Sequence, residues 1–226
     1  MKVIIAGATG FVGGALVEET LTNPTITSIH ILSRRPLSKD IEANPKITVH
    51  LQEDLTQYTP ELLEHLKDAQ CCLWAIGGRA TQFSSVEEMH KSQHDTTLSA
   101  AKAFAESLAS PAVSGRKFRF VFCSGKFTEW DQDAKLWFMS DSRKSKGFVE
   151  KGLFDIASEY EAVFEVYCVR PGGIVAEGKG ALNAVAAKMV FGIGVDVLAK
   201  AMCRVAIEGH GEHIIENDDL VRIGRS

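Results

Sequence analysis

A glycine-rich turn near the start of the chain constrains the fold more than any other feature of the sequence. The apolar run Val3–Ala6 is typical of a short buried strand, and residues 7–14 follow it as Gly-Ala-Thr-Gly-Phe-Val-Gly-Gly. The next residues, through about Leu21, have the periodicity of a helix. Glycines at this spacing, between a strand and a helix, permit a tight turn and a close approach of the backbone to a bound diphosphate. The alternative is a glycine turn that binds nothing.

The predicted helix after the turn gives a second reason to expect a phosphate site. The first N–H groups of a helix have no partner within the helix, and the helix dipole places a partial positive charge there. We therefore predict a dinucleotide site. Its phosphate contacts are predicted to come from Gly7, Thr9, Gly10, Phe11, Val12 and Gly13.

Strand-like and helix-like runs alternate along the rest of the chain. Further strands are predicted at Ser28–Ser33, Ile47–Leu51, Gln70–Ile76, Phe118–Cys123, Val163–Val169 and His213–Glu216. Further helices are predicted at Pro60–Leu66, Ser85–Ser107, Lys146–Glu161 and Val195–Glu208. This alternation favours an α/β fold with a doubly wound parallel sheet, the Rossmann fold, and a small C-terminal elaboration.

We interpret residues 1–226 as a single NAD(P)-binding Rossmann domain. Ligands of such sheets bind beyond the carboxyl ends of the strands, so the long polar connection after the fifth strand is a candidate substrate loop. The substrate region is predicted to be built from residues 125–145 and 173–226. Within the latter, Ala181–Phe191 has the composition of an amphipathic or buried helix.

Composition excludes several classes of function. The chain has 25 Lys and Arg against 29 Asp and Glu, a formal net charge of −4, so nothing favours nucleic-acid binding. The five cysteines form no C-x-x-C pair, which predicts reduced thiols and no metal site. The first apolar stretch is too short for a signal peptide, and no window is long enough to span a membrane. We predict a cytoplasmic protein and leave its oligomeric state open.

The end of the second predicted strand indicates which dinucleotide is bound. An acidic residue about 20 positions past the glycine motif would bond to the ribose 2′-hydroxyl of NAD. The chain has Ser33, Arg34 and Arg35 at that point, with no carboxylate. Guanidinium groups suit the 2′-phosphate of NADP, because they are always charged and can bind phosphate bidentately. We predict NADP(H) as the cofactor; two solvated loop arginines are the alternative.

Two other strand ends are predicted to flank the adenine and the nicotinamide. Asp54 and Leu55 follow the third strand and are placed beside the adenine. Ala75, Ile76, Gly77 and Gly78 end the fourth strand, where small residues would let the cofactor lie against the backbone. For both segments, an ordinary turn at a strand end is the alternative.

These residues, with others further along the chain, resemble an atypical short-chain dehydrogenase/reductase. The resemblance is carried by the glycine motif, Ser33-Arg34-Arg35, Asp54-Leu55, Ser124 and Arg170-Pro171-Gly172. Within that superfamily the chain is most similar to the Tat-interacting oxidoreductases, through short matches at Cys71-Cys72-Leu73, Ser124-Gly125-Lys126, Lys146-Gly147-x-Val149-Glu150 and Ile215-Glu216-Asn217. The resemblance spans almost the whole chain, and it implies further cofactor contacts from Lys146, Pro171 and Gly172.

The resemblance also implies a catalytic Ser, Tyr and Lys. The Ser polarises a carbonyl, and the Tyr donates a proton; the Lys, four positions after the Tyr on the same helix face, lowers the pKa of the Tyr and binds the nicotinamide ribose. Ser124 and Lys146 match two of these residues, and Ser142 stands in the place of the Tyr. An aliphatic hydroxyl is a far weaker acid than a phenol. The alternative is an ordinary strand-end serine and a lysine on a helix surface.

No Y-x-x-x-K sequence occurs anywhere in the chain. The residues four positions after the three tyrosines, Tyr58, Tyr160 and Tyr167, are Leu62, Phe164 and Pro171. Three functions therefore stay open. The first is an NADPH-dependent reductase of a small or medium apolar carbonyl or enone. The others are a non-redox isomerase, dehydratase or cyclase on the same scaffold, and a non-enzymatic NADP(H)-sensing protein.

Other side chains with chemical potential are less specific. His90 and His94 share one helix face, as metal ligands would, but no third ligand is near in sequence, so a solvated or cofactor-flanking face is the better interpretation. The aromatic residues of the loop after the fifth strand form either a lid over an apolar substrate or packing anchors; they are Trp130, Trp137 and Phe138. Three acids of the same loop are unselected candidates for acid–base chemistry: Asp131, Asp133 and Asp141.

Overall fold

The fold is that of a computed structural model, which describes residues 1–78, 84–109, 115–176 and 192–226, with backbone alone at 86, 90 and 91. The predicted helix at Ala181–Phe191 lies outside the described residues, as do the side chain of His90 and part of the predicted substrate region.

Seven parallel strands form one sheet in the order β3-β2-β1-β4-β5-β6-β9. Their bounds are β1 Lys2–Ala6, β2 Ser28–Ser33, β3 Ile47–Leu51, β4 Cys71–Trp74, β5 Phe118–Cys123, β6 Phe164–Arg170 and β9 Ile214–Glu216. Two short strands, β7 Ile174–Val175 and β8 Ile193–Gly194, pair in parallel beside it. The chain order reverses between β1 and β4, and the crevice there is the usual ligand site of such sheets. This arrangement confirms the predicted doubly wound α/β fold.

Helices cover both faces of the sheet. In the described residues they are α1 Phe11–Thr22, α2 Lys39–Glu42, α3 Pro60–Leu66, α4 Val86–His90, α5 Thr96–Ser107, α6 Ser140–Glu159, α7 Val195–Glu208 and α8 Asn217–Arg225. Alternate residues of β1 enter two separate cores: Val3 and Ile5 pack with α1 and α7, whereas Ile4 and Ala6 pack with α3, α5 and α6. Burial on both faces explains why the central strands are continuously apolar in sequence.

Most predicted elements are confirmed, several with the same bounds. The Thr59 side chain caps α3 by accepting a hydrogen bond from the Leu62 N–H at 3.2 Å, and Pro60 follows as the first helical residue. The predicted strand over Gln70–Ile76 was too long, because the chain leaves the sheet after Trp74 and passes against the glycine turn.

Three predicted boundaries were wrong in ways that matter for the site. A π-helical turn at Lys91–Asp95 interrupts the single helix predicted over Ser85–Ser107. Helix α6 begins at Ser140 rather than near Lys146, so the last residues of the predicted loop 125–145 are helical; their polar composition hid the helix. The chain also continues beyond β9 into α8, whose first turn has two acids and whose last turn has two arginines, as the helix dipole favours.

Candidate dinucleotide cleft and catalytic region

The glycine turn is packed so closely that side chains are excluded at two positions. Gly7 has φ +90°, and a Cβ on it would lie 2.7 Å from the backbone of Ala75 at the end of β4. A Cβ on Gly13 would lie 1.9 Å from the carbonyl oxygen of Gly7. The first turn of α1 therefore lies directly on the turn that precedes it, and the end of β4 lies against the turn's other side.

The N-terminus of α1 borders the cleft, which its N-cap residue Gly10 lines. The N–H of Gly10 donates to the Gly7 carbonyl oxygen at 2.9 Å, which closes the turn. In the described chain no side chain caps this helix, and its first turn contains no acidic residue. The first helical N–H groups therefore need an acceptor from outside the helix, and an anion supplies one.

A cleft of about 690 Å³ opens beside this helix end, at the carboxyl ends of β1 to β4. It brings together most of the predicted cofactor residues: Gly7, Thr9, Gly10, Ser33, Arg34, Arg35, Asp54, Leu55, Ala75, Ile76 and Gly77. The other predicted contacts lie outside its lining. Phe11, Val12 and Gly13 belong to the first turn of α1, and Lys146, Pro171 and Gly172 belong to the neighbouring strand ends and α6.

At the end of β2, the backbone is arranged so that two cations reach solvent. The buried Ser33 hydroxyl donates to the Arg35 carbonyl oxygen at 2.6 Å and accepts from the Arg35 N–H at 3.2 Å. This local turn leaves Arg34 and Arg35 exposed at the rim of the cleft. Neither arginine forms a salt bridge with another described residue. The two guanidinium groups are thus available to an anionic ligand.

The segment after β3 also lines the cleft. Asp54 accepts hydrogen bonds from the N–H and the hydroxyl of Thr56, at 2.9 and 2.7 Å, and Leu55 is buried. Gly78, also placed at the end of the fourth strand by the sequence, lines the cleft as well. Six further lining residues were not predicted: Leu32, Glu53, Thr56, Glu88, Ser92 and Thr96. The first three adjoin predicted residues and were within reach of the strand-end rule. The last three depend on where α4, the π-helical turn and α5 cross the cleft, which no motif indicates.

The predicted catalytic pair lies together at the end of β5. The Lys146 ammonium donates to the Ser124 carbonyl oxygen at 2.6 Å, and a Cβ on Gly125 would lie 2.8 Å from that ammonium. The Ser124 hydroxyl is 3.1 Å from the Thr128 hydroxyl, and Ser124 is buried. Burial raises the pKa of the adjacent Cys123 thiol, although the charge of Lys146 opposes the rise, so this thiol stays protonated.

Ser142 lies one helical turn before Lys146 on the buried side of α6. Ser145, on the same helix, is also buried, and its hydroxyl is 2.8 Å from Nε2 of His94 in the π-helical turn. The helix presents two aliphatic hydroxyls and an ammonium where the superfamily pattern has a phenol and an ammonium.

A buried ion pair holds α6 against β6. The Glu150 carboxylate is fully buried and receives two hydrogen bonds from Arg170, at 2.5 and 3.0 Å, and a third from Trp130 Nε1 at 2.7 Å. Arg170 also contacts the half-exposed Glu216 at 3.2 Å. A Cβ on Gly147 would lie 1.7 Å from the Glu129 carbonyl oxygen, so α6 and the loop touch through backbone.

The strand ends beyond Arg170 are tied to the same region. The Lys126 N–H donates to the Pro171 carbonyl oxygen at 2.7 Å, and the Gly172 N–H donates to Asn217 Oδ1 at 2.8 Å. The residues of the short motifs around 124–126, 146–150, 170–172 and 215–217 thus contact one another, which explains why they occur together.

The aromatic residues of the loop differ in their contacts and exposure. Trp130 is a packing anchor through its bond to Glu150. Trp137 is 90% exposed, and its ring is tilted against Phe138 with 4.8 Å between centroids. The Arg143 guanidinium stacks 4.8 Å from the Phe138 ring centroid and donates to the Phe127 carbonyl oxygen. All three candidate acids, Asp131, Asp133 and Asp141, are exposed.

Within the described residues, no group of three or more His, Cys, Asp or Glu side chains is arranged to hold a metal ion. The described helices include none with the length and apolarity needed to cross a membrane.

Comparison with known proteins fits this geometry. The model of the NAD dependent epimerase/dehydratase family matches residues 3–133, which is more than half of the chain. The chain belongs to this family. The match confirms the resemblance to atypical short-chain dehydrogenases/reductases, whereas the closer likeness to the Tat-interacting group stays a prediction.

Two curated relatives are fungal proteins. Leucinostatins biosynthesis cluster protein T of Purpureocillium lilacinum is 30% identical over 188 residues, which cover 76% of this chain and 64% of that protein. This chain therefore spans less than two thirds of that relative. "Protein FMP52, mitochondrial" of Chaetomium globosum is 24% identical over 247 residues, which cover 99% of this chain and 97% of that protein.

Solved structures share the fold. Yeast methylglyoxal/isovaleraldehyde reductase Gre2 complexed with NADPH has a TM-score of 0.72 at 15% identity and covers 95% of this chain and 78% of its own. The Bordetella bronchiseptica enzyme WbmF in complex with NAD⁺ has a TM-score of 0.69 at 16% identity and covers 98% of this chain and 76% of its own. At such low identity the likeness shows the fold alone.

Proposed function

We propose that this protein is an NADP(H)-dependent oxidoreductase that reduces a small or medium apolar carbonyl or enone. The observation that carries the proposal is the cleft itself, which is lined by the glycine turn before α1 and by Arg34 and Arg35. Among the described residues, no side chain caps α1 and none forms a salt bridge with either arginine. Ser124 and Lys146 lie at the neighbouring strand end, β5, where a reacting group would meet the nicotinamide half of the cofactor.

The residues of the cleft fit a phosphorylated dinucleotide. The turn and the first N–H groups of α1 would hold the diphosphate, because the space that a Cβ on Gly7 or Gly13 would take is already filled by backbone. Arg34 and Arg35 would hold the 2′-phosphate, and Asp54 and Leu55 would flank the adenine. When bound, the cofactor supplies a hydride equivalent to the substrate.

The chain's own residues orient and polarise the substrate. The Thr128 hydroxyl donates to the Gly125 carbonyl oxygen at 2.6 Å, so the Ser124 hydroxyl donates to Thr128 Oγ1 at 3.1 Å. A substrate carbonyl oxygen would replace Thr128 as the acceptor of the Ser124 proton. Lys146 brings a positive charge to the same point, which favours negative charge as it develops on that oxygen. The exposed rings of Phe127 and Trp137 would cover an apolar substrate and exclude water.

The test follows NADPH absorbance with a panel of carbonyls that includes methylglyoxal and isovaleraldehyde, the two named for the yeast structural neighbour. Wild type should oxidise NADPH with at least one member. Lys146→Ala should lower kcat/KM by roughly 100-fold, in line with loss of a positioned electrostatic group. Lys151→Ala, an exposed lysine on the same helix, is the matched control and should change nothing. An inactive wild type that binds NADPH tightly would contradict the proposal.

The missing Y-x-x-x-K favours one second candidate, a non-redox isomerase, dehydratase or cyclase. Such a reaction has no net hydride transfer, so it needs no proton donor to accompany one. Product formation with catalytic amounts of cofactor, and with no net oxidation of the cofactor, would support this second candidate. Stoichiometric NADPH consumption would exclude it.

We propose a cytoplasmic location, and a relative named as mitochondrial makes cell fractionation the test. Recovery of the full-length protein with mitochondria would contradict it.

A further inference from the structure

A buried histidine lies beside the proposed catalytic residues, and the mechanism above does not use it. His94 is 6% exposed, and its Nε2 is 2.8 Å from the Ser145 hydroxyl oxygen. Its ring stacks on Phe148, with 4.5 Å between centroids and 21° between planes. Stacking and the hydrogen bond together fix the imidazole against α6.

The segment that carries His94 is part of the cleft. Ser92 and Thr96, two residues to either side, line the cleft, while His94 contacts α6. Here the chain forms a π-helical turn between two α-helices, Lys91–Asp95, and such turns are frequent at functional sites. The turn and the first residue of α5 therefore line the cleft with hydroxyl-bearing residues, and the turn also presents an imidazole to the helix of Lys146.

On α6 the spacing of polar residues connects His94 to the reacting end. Ser142 and Ser145 are three positions apart, and Ser142 and Lys146 are four apart, so the side chains are neighbours on one helix face. Ser142 and Ser145 are buried. Cβ atoms at such spacings are about 5–6 Å apart, which two hydroxyls can bridge directly or through one water.

We propose that His94 supplies, through Ser145, the proton that carbonyl reduction consumes, and that Ser142 passes this proton to the substrate oxygen. This inference rests on the proposed function. A serine hydroxyl alone is a poor acid, whereas an imidazolium gives up its proton near neutral pH. The relay thus supplies the acidity that the absent phenol would have provided.

The step balances without another reactant. A C–H bond forms at the carbonyl carbon with hydride from NADPH, the C=O π bond breaks, and its electron pair goes to oxygen. An O–H bond forms there with the proton of Ser142. Ser142 regains a proton through Ser145 from the His94 imidazolium, and solvent reprotonates His94. NADPH is oxidised, and the carbonyl is reduced to an alcohol.

The first test replaces the proton source while keeping a hydrogen-bonding amide. His94→Gln and Ser145→Ala should each lower kcat about 100-fold, the lower end of what general acid catalysis contributes. The KM for the carbonyl and the NADPH dissociation constant should not change. His65→Gln, on the exposed end of α3, is the matched histidine control and should keep full activity.

The second test supplies the proton donor that the superfamily uses. In a Ser142→Tyr chain, a phenol lies four residues before Lys146, so adding His94→Gln should no longer lower kcat. A purely structural contact between the π-helical turn and α6 predicts the same fractional loss in both backgrounds. That result would overturn the relay.

A third readout needs neither cofactor nor turnover, and it stands even if Ser142→Tyr does not fold. The ¹⁵N resonances of the His94 imidazole should move when Ser145→Ala removes its partner. Unchanged resonances would overturn the first link of the relay.

If wild type reduces no carbonyl, the proposed function fails and the relay with it. If wild type is active and His94→Gln is equally active, the relay alone fails.

Discussion

The amino-terminal strands β1 to β4 and the carboxyl-terminal strands β5, β6 and β9 reach the cleft in different ways. In the first region, backbone defines the site: glycines at 7 and 13 allow contacts that no side chain would permit. In the second region, side chains define the site. Lys146 donates a hydrogen bond to the Ser124 carbonyl oxygen, and Arg170 forms a salt bridge with Glu150. The first region keeps the superfamily pattern, and the second departs from it at Ser142. We therefore expect substitutions to separate cofactor binding from chemistry in this protein.

The largest expected effect lies in the carboxyl-terminal region. Glu150→Gln breaks a fully buried ion pair and should lower the free energy of unfolding by about 3–5 kcal/mol, because the Arg170 charge loses its main partner. Denaturant titration measures it. Glu216→Gln removes the partner that is 52% exposed and should cost about 1 kcal/mol or less. Equal losses of unfolding free energy in the two variants would contradict the view that buried side-chain pairs stabilise this region.

In the amino-terminal region the sharpest substitution is Gly13→Ala. Its Cβ would lie 1.9 Å from the Gly7 carbonyl oxygen, so the turn must move, and NADPH affinity should fall on the order of 10- to 100-fold. Gly14→Ala is the matched control, since its Cβ would lie 3.8 Å from the nearest atom, the Ala8 carbonyl oxygen. It should bind normally and be more stable by up to about 1 kcal/mol. Equal NADPH affinity in both variants would refute the role given to the turn.

A smaller effect concerns pH and also belongs to the amino-terminal region. Burial, with the nearby charges of Lys2, His50 and His65, lowers the pKa of His30 to about 4, and its Nδ1 lies 2.8 Å from Nε2 of His50. An unfolded histidine titrates near 6.5, so the unfolded chain binds a proton first as the pH falls. Stability should therefore be complete above about pH 6.5 and decline toward pH 4.

Thermal unfolding from pH 8 to 4 measures that slope. His30→Gln should make stability depend less on pH in this range. His65→Gln, at an exposed site, should reduce that dependence by a smaller amount. A slope unchanged by His30→Gln would assign the pH dependence to other groups.

The same contrast explains what the sequence could predict. Glycine spacing, apolar runs and the Thr59-Pro60 helix start depend on local rules, so β1 to β4 and the cleft rim were predictable from Ser33 to Gly77. The Glu150–Arg170 pair and the His94–Ser145 contact join residues 20 and 51 positions apart, and no local pattern encodes such partners. The start of α6 was missed for a related reason, since Ser140 to Ser145 is polar and contains no periodic apolar face.

Calorimetric titration with NADPH and NADH tests the central claim most directly. The account predicts that wild type binds NADPH at least about tenfold more tightly than NADH, because an arginine–phosphate contact contributes about 1.5–3 kcal/mol. The doubly substituted chain, Arg34→Ala with Arg35→Ala, should bind the two with similar affinity. A wild-type preference for NADH, or no binding of either dinucleotide, would contradict it.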